Sequence, residues 1–422
     1  MTSTSPALEQ SVGQRGPALL RPLRLRDFRL LFAGESISML GDQFHFVALA
    51  WLTLQLTGSG LALGGVLTVA AVPRAIFMLL GGALSDRLSP RTLMFASNGL
   101  RAVVVGIVAA LVLSGRAELW QLYILAAVFG VVDAFFYPAM NTMLPMLVGD
   151  RQLPPANALV QGTQQLTGLI GPAVAGVVIA AFSTGPAFAF DAISFAIAAT
   201  ALLLIRGGRR AAPAADGGVL RSIGPGLRYA WSDPAVRSLV LLTAAVNFAI
   251  TGPTTVGVPV LVDTRLGGGS AAFGIILAGF GAGALVGAIA AGAISRLPRL
   301  GLVTLLSAVG IGIGLGMLGS APNVPVAAAI TVFIGLLIGF INVRVIAWLQ
   351  ARTPEALRGR VMSLVMLGSV GLGPISLALA GVVADLGAVP LLFGIAGAIV
   401  IATALVGIAS GVPARMTEEA AA

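Results

Sequence analysis

Stretches of about twenty mostly apolar residues recur along this chain, and their recurrence decides what it can fold into, because a helix of that length crosses the hydrocarbon core of a bilayer. Twelve stretches can be placed, over 28–56, 60–84, 91–113, 119–147, 157–182, 186–206, 237–262, 271–295, 300–319, 324–350, 359–384 and 389–410. Turns with Gly, Pro or charge separate them. Hydrophobic residues make up 57% of the chain and charged residues 10%, against ~25% charged in an ordinary soluble domain. A soluble core cannot hide that much apolar surface; a bilayer solvates it. The expected fold class is an all-α integral membrane protein with twelve transmembrane helices.

The charges fall between the apolar runs. The net charge is +9, and all 25 basic residues are Arg. They are not clustered with aromatics as a nucleic-acid surface requires, so no nucleic-acid partner is expected. With the N-terminus in the cytoplasm, 20 of the 25 Arg fall in cytoplasmic segments, two outside (Arg116, Arg265) and three within spans (Arg74, Arg101, Arg344). That bias puts both termini inside. The first apolar run is too long for a secretory signal and no small-residue cleavage site follows it. The expected layout is a disordered cytoplasmic tail over 1–20, a six-helix unit over 21–206, a cytoplasmic linker over 207–236, a second six-helix unit over 237–412 and a tail over 413–422. The linker contains an amphipathic stretch around Leu220–Trp231 suited to the membrane surface.

Gly171-Pro172 precedes Ala175-Gly176-Val177-Val178 in the fifth span, and Gly373-Pro374 precedes Ala380-Gly381-Val382-Val383 in the eleventh. The offset is close to half the chain, which points to an internal duplication. The Gly-rich run Gly279–Gly292 has neither the Lys nor the strand of a phosphate loop; inside an apolar span it signals close helix packing. One His and no Cys leave no disulfide framework and no structural zinc site. No nucleophile or acid–base cluster stands at either membrane face, so an enzyme is not expected.

Between the second and third spans lies Gly81-Gly82-Ala83-Leu84-Ser85-Asp86-Arg87-Leu88-Ser89-Pro90-Arg91. It resembles the signature turn of the major facilitator superfamily, G-x-L-x-D-R-x-G-R-[RK]. Gly82, Leu84, Asp86, Arg87 and Arg91 stand at matching positions, while Ser89 and Pro90 replace the second Gly and the first of the final basic residues. Leu40-Gly41-Asp42, Phe135-Phe136-Tyr137-Pro138-Ala139, Ala156-Asn157-Ala158 and Arg358-Gly359-Arg360-Val361 resemble the enterobactin-exporter-like and macrolide-efflux-like branch. Gly171-Pro172 resembles the family's antiporter motif, with Gly168 to Gly171 one residue short of the usual spacing. The resemblance implies two pseudo-symmetric six-helix bundles, a substrate site near the midplane between them, and alternating access. It also implies that Asp86 meets the start of the eleventh helix when the cavity faces outward. Here that start carries Arg358 and Arg360.

Charge inside a membrane costs ~2.5–3.5 kcal/mol or more, so it is functional or paired. Glu35 and Asp42 lie seven residues apart on one face of the first span, about 10 Å along the axis, and His45 follows on the same face. Asp133 lies mid-way along the fourth span. By the resemblance these two helices line the cavity. A carboxylate in such a cavity can exchange a proton with a cationic substrate near neutral pH, and His45 can relay the proton. The structural alternatives are that Asp42 pairs with Arg74 or Arg101, or caps a break near Gly41, that Glu35 sits near the cytoplasmic mouth, and that His45 only packs. Phe136 and Tyr137 are candidate stacking residues of the cavity. Arg344 in the tenth span either holds an anionic group or snorkels to the cytoplasmic end. Asp191 is read as structural.

The function these readings favour is proton-coupled efflux of small lipophilic or cationic compounds, driven by the proton gradient without a cofactor or metal. The transporter is expected to act as a monomer in the bacterial plasma membrane. Export of a siderophore or other endogenous secondary metabolite is the alternative, in which an anionic substrate would draw on the arginines. A non-transporting membrane protein is the more distant one.

Overall fold

A computed structural model describes residues 18–85, 89–207, 228, 231–294, 297, 299–411 and 416. Every long element is helical. The first half of the chain forms α1 (Arg26–Thr57), α2 (Gly60–Ser85), α3 (Pro90–Leu113), α4 (Leu119–Val148), α5 (Leu153–Phe182) and α6 (Thr184–Leu204). A short 3-10 helix, Ala18–Arg24, precedes α1. The second half forms α7 (Pro234–Gly252), α8 (Gly269–Ala293), α9 (Leu300–Leu318), α10 (Val324–Arg352), α11 (Glu355–Val370), α12 (Gly373–Asp385) and α13 (Val389–Ala409). Two π-helical turns, Pro253–Gly257 and Val262–Leu266, carry α7 onward. Eleven helical segments among the described residues are long and apolar enough to cross a membrane. The protein is a multi-pass membrane protein.

The stretch expected as an eleventh span, 359–384, is not one helix. It breaks at Gly371-Leu372 into α11 and α12, and Pro374 stands in the first turn of α12. Proline has no N–H to give, so Pro374 suits the first turn of a new helix, where that N–H would have no partner in any case. Pro172 in the matching first-half motif lies inside an unbroken α5. The two copies of the repeat have diverged at this point.

Apolar side chains point outward along the helices. On α3, Leu100, Val103 and Ile107 are exposed on one face, which hydrocarbon solvates without penalty. Inside, small residues set the spacing. Gly283 and Gly287 of α8 meet the backbone of α10 at Leu336 and Phe340, and Gly339 of α10 meets Ala284; an added Cβ would fall 2.8 Å from Leu336 N, 2.9 Å from Phe340 N and 2.8 Å from Ala284 Cα. Without a hydrophobic drive between helices in lipid, such close packing is what holds a pair together. This is the role expected of the Gly279–Gly292 run.

Arginine side chains close several helix C-termini, where carbonyls lack partners and the dipole favours a cation. Arg91 donates from Nε to Leu202 O (2.8 Å) and from Nη2 to Leu203 O (2.7 Å) at the end of α6. Arg26 reaches Leu204 O (3.1 Å) there as well. Arg265 donates to Gly319 O (2.9 Å) past α9. Arg344 donates to Ile294 O (2.9 Å) at the end of α8. Arg344 therefore does not line the central cavity as one reading of the sequence had it.

Two crossings join the halves of the chain: α2 against α12, and α5 against α8. Both lie toward the end opposite the start of α1, called here the far end. Ser59 donates to Asp385 Oδ1 (2.6 Å), and Thr68 Oγ1 to Pro374 O (3.3 Å). Ser270 Oγ donates to Gly176 O (3.0 Å), and Gly176 and Gly274 let α5 and α8 meet backbone to backbone. At the near end Asn157, Gln161, Gln164 and Gln165 of α5 are exposed.

Of the signature turn, Asp86 and Arg87 lie outside the described residues. Gly82 is in the last turns of α2, Arg91 opens α3, and Arg358 and Arg360 are in α11, with Arg358 exposed. Most of the expected linker and both tails also fall outside the described residues. Ala18–Leu20 and Pro234–Val236, expected as tail and linker, are helical.

Candidate functional site: a charged cavity between the halves

A cavity of about 480 Å³ lies between the halves. Among the described residues its charged and titratable lining comes from the first half: Asp42 and His45 of α1, Arg74 of α2, and Asp133 and Tyr137 of α4. The second half contributes Thr251, Ser369, Gly373, Pro374 and Leu377, none of them charged. The crossings at the far end shut it on that side.

Local packing explains how these side chains arrive. Gly130 of α4 abuts the backbone of Ala70 on α2. One turn further along each helix stand Asp133 and Arg74, so the pair forms across the tightest point of the α2–α4 contact. Arg74 Nη1 lies 2.9 Å from Asp133 Oδ2. The other oxygen of Asp133 takes a short bond from Arg101 Nη2. Arg101 of α3 is 3% exposed, and its guanidinium lies 4.8 to 5.4 Å from the ring centroids of Phe136, Phe129 and Phe195. A buried guanidinium is tolerable only with such partners: a carboxylate for charge and aromatic faces for the rest of its surface.

The second pair is His45 with Asp191. Gly41 brings α6 against α1: a Cβ there would fall 2.7 Å from Asp191 Oδ1 and 2.9 Å from Ser194 Cβ. His45 Nδ1 is 3.1 Å from Asp191 Oδ2, within ion-pair reach though not aligned as a hydrogen bond. The imidazole stacks on Phe129 at 4.5 Å and 15°. Phe129 thus touches both His45 and Arg101, and links the two pairs.

Asp42 stands apart. It lines the cavity within one helical turn of His45, and among the described residues its carboxylate has no hydrogen-bond or ion-pair partner. Across α1, α2, α3, α4 and α6, four carboxyl groups (Glu35, Asp42, Asp133, Asp191) gather with two guanidiniums (Arg74, Arg101) and one imidazole. A carboxylate that ionises in such a low-dielectric wall attracts a cation.

The sequence-derived candidates sort as follows. Asp42, Asp133, His45 and Tyr137 meet at one cavity. Asp133 carries two arginine partners, so the partner considered for Asp42 belongs to Asp133 instead. Glu35 is 3% exposed and off the cavity, accepting from Asn98 Nδ2 at 3.1 Å. Phe136 is buried beneath Arg101 and does not line the cavity. Gly171 and Pro172 are buried where α5 meets α1 and α8: Gly171 against Gln43, Pro172 against Gly274. Arg74 and Asp191 were not singled out for the cavity from sequence. Their one visible signal was charge within an apolar span. Among the described residues no group of three or more His, Cys, Asp or Glu is arranged to hold a metal ion.

The comparisons with known proteins agree with this architecture. A family model of the major facilitator class, described as a transmembrane secretion effector, matches residues 18–422. The chain belongs to that family. It is 27% identical over 381 residues to the multidrug efflux pump Tap of Mycolicibacterium fortuitum, covering 88% of this chain and 90% of that one. It is 23% identical to macrolide efflux protein A of Streptococcus pyogenes, over 90% of this chain and 94% of that one. It is 26% identical to the enterobactin exporter EntS of Shigella boydii, over 80% of each. Among solved structures, a mutant of the nucleoside transporter NupG superposes with a TM-score of 0.67 over 94% of this chain and 100% of that one, at 13% identity. That likeness concerns the fold. With efflux pumps as its relatives, the chain is a transporter of the efflux kind.

Proposed function

We propose that this permease exports small lipophilic cations in exchange for protons, with Asp42 as the residue at which proton and substrate compete. The observation that carries the reading is the Asp42 carboxylate, without a hydrogen-bond or ion-pair partner among the described residues, in a cavity that two helix crossings close at the far end. Asp133 is held by two guanidiniums and so positions Arg74 and Arg101. Asp42 has no such partner and is free to take either a proton or a cation. His45, paired with Asp191 a turn away, is the neighbour that can pass a proton on. In this reading twelve membrane crossings, with α11 and α12 together as the eleventh, form two six-helix bundles that rock about the cavity. The near end faces the cytoplasm, both termini lie on the cytoplasmic side of the bacterial plasma membrane, and a monomer does the work with no cofactor.

A lipophilic cationic dye tests this in cells. Efflux by the wild type should collapse with a protonophore, and Asp42→Asn should abolish it at normal membrane expression. Dye efflux that survives both treatments would end the reading. One observation favours a second one. Arg74 lines the cavity with its side chain 42% exposed, and an anionic metabolite could exchange with Asp133 for it. In that case Arg74→Gln abolishes export and Asp42→Asn does not.

A further inference from the structure

A second chamber, of about 530 Å³, lies inside the second half of the chain. It is walled by α7, α9, α10 and α11, with Phe280 of α8. Among the described residues its lining holds no charge. The polar groups are amides and hydroxyls, among them Thr243, Asn247 and Asn342, on walls otherwise built from Leu, Ile, Val, Met, Ala and Phe. Ser369 of α11 lines this chamber and the charged cavity alike, and on α7 Thr251 faces one while Ile250 faces the other. The two spaces are thus neighbours across α7 and α11. One is charged and lined mainly by the first half; the other is uncharged and belongs to the second half.

We propose that this chamber is the subsite for the apolar body of the transported molecule, with its cationic group held at Asp42. The inference rests on the cation reading above and adds to it a division of labour: the first half reads charge, the second half reads apolar bulk. Several features favour a substrate over other occupants. The chamber adjoins the charged cavity, and its volume is comparable. Its sparse amides and hydroxyls suit aromatic or heteroatom-bearing groups, as ligand pockets commonly do. An uncharged chamber also leaves the net electrostatics to Asp42, so substrates of different shape can share one coupling step.

The test uses purified full-length protein in nanodiscs and two permanent cations of equal charge, tetraphenylphosphonium and tetraethylammonium, with affinities from equilibrium dialysis. The chamber is filled in two ways: Ala308→Phe at a buried wall position and Asn342→Trp at an exposed one. The wild type should bind tetraphenylphosphonium at least ~10-fold more tightly than tetraethylammonium, since burying one aromatic ring is worth that much. Each filled variant should lose about that factor for tetraphenylphosphonium alone. Asp42→Asn should weaken both cations by a similar factor. Filled variants that bind tetraphenylphosphonium as the wild type does would overturn the proposal, and an acyl chain resident in the chamber would give that result. Failure of the wild type to bind either cation would overturn it too. If instead Asp42→Asn leaves both affinities unchanged while the filled variants still lose tetraphenylphosphonium, the chamber stands and the cation reading falls. Asn342→Trp guards against misfolding of the buried variant, and retained tetraethylammonium binding reports intact protein in both.

Discussion

Gly64→Ala is the smallest change that should move the transporter between its two faces. Gly64 lies on α2 where that helix crosses α12, and a Cβ there would fall 2.7 Å from Leu377 O and 2.8 Å from Gly381 Cα. Both neighbours are backbone, so neither can rotate away. Overpacking of this kind costs about 1–3 kcal/mol. The cost applies only while α2 and α12 touch, so the state with the far end open is favoured by roughly 5–150-fold relative to wild type. The chain has no Cys, which permits a clean labelling assay. Leu67, one turn from Gly64, is 9% exposed and lines the charged cavity. In a Leu67→Cys background, the rate of reaction with a membrane-impermeant thiol reagent added outside cells reports opening of the far end. Gly64→Ala should raise that rate by roughly the same 5–150-fold, on the order of the population shift. An unchanged rate at equal surface expression would refute the argument that this crossing is the far-side gate.

Other outcomes follow from the same geometry. Asp133→Ala leaves Arg101 buried with no carboxylate and should destabilise the protein by about 3–5 kcal/mol; a wild-type melting temperature for the purified variant would contradict this. Asp42→Asn, which breaks no recorded ion pair, should melt with the wild type. Gly283→Val drives a branched side chain into the α10 backbone and should cost about 1–3 kcal/mol, read as a lower melting temperature. Arg91→Ala removes two bonds to the last carbonyls of α6 and should cost about 1 kcal/mol, again by thermal melt.

Much of the fold was legible because a membrane span announces itself by length and apolarity alone. The charged turns and arginine punctuation marked where most helices end, and the Gly279–Gly292 run stated its packing role in advance. The break at Gly371-Leu372 leaves no mark in the sequence because the apolar run is continuous across it, although Gly373-Pro374 stands out as a repeat. The site was legible to the level of which helices carry charge. Which charges meet was not. Each residue turns a helix by about 100°, and nothing in the sequence fixes how α2, α3 and α4 are rotated against each other. Arg74 and Arg101 converge on Asp133 from two different helices, and His45 finds Asp191 across α1 and α6. Arg344 shows the same limit from the other side: its place in α10 suited the cavity, but its guanidinium caps α8.

The most direct test of the account is substrate-driven proton movement in proteoliposomes. Purified protein is reconstituted with a pH-sensitive dye inside, a lipophilic cation is added, and the pH change is followed for wild type and Asp42→Asn. The account predicts a proton flux opposite to the substrate in the wild type, and none in the variant despite an unaltered melting temperature. A wild-type flux that persists in Asp42→Asn would contradict it.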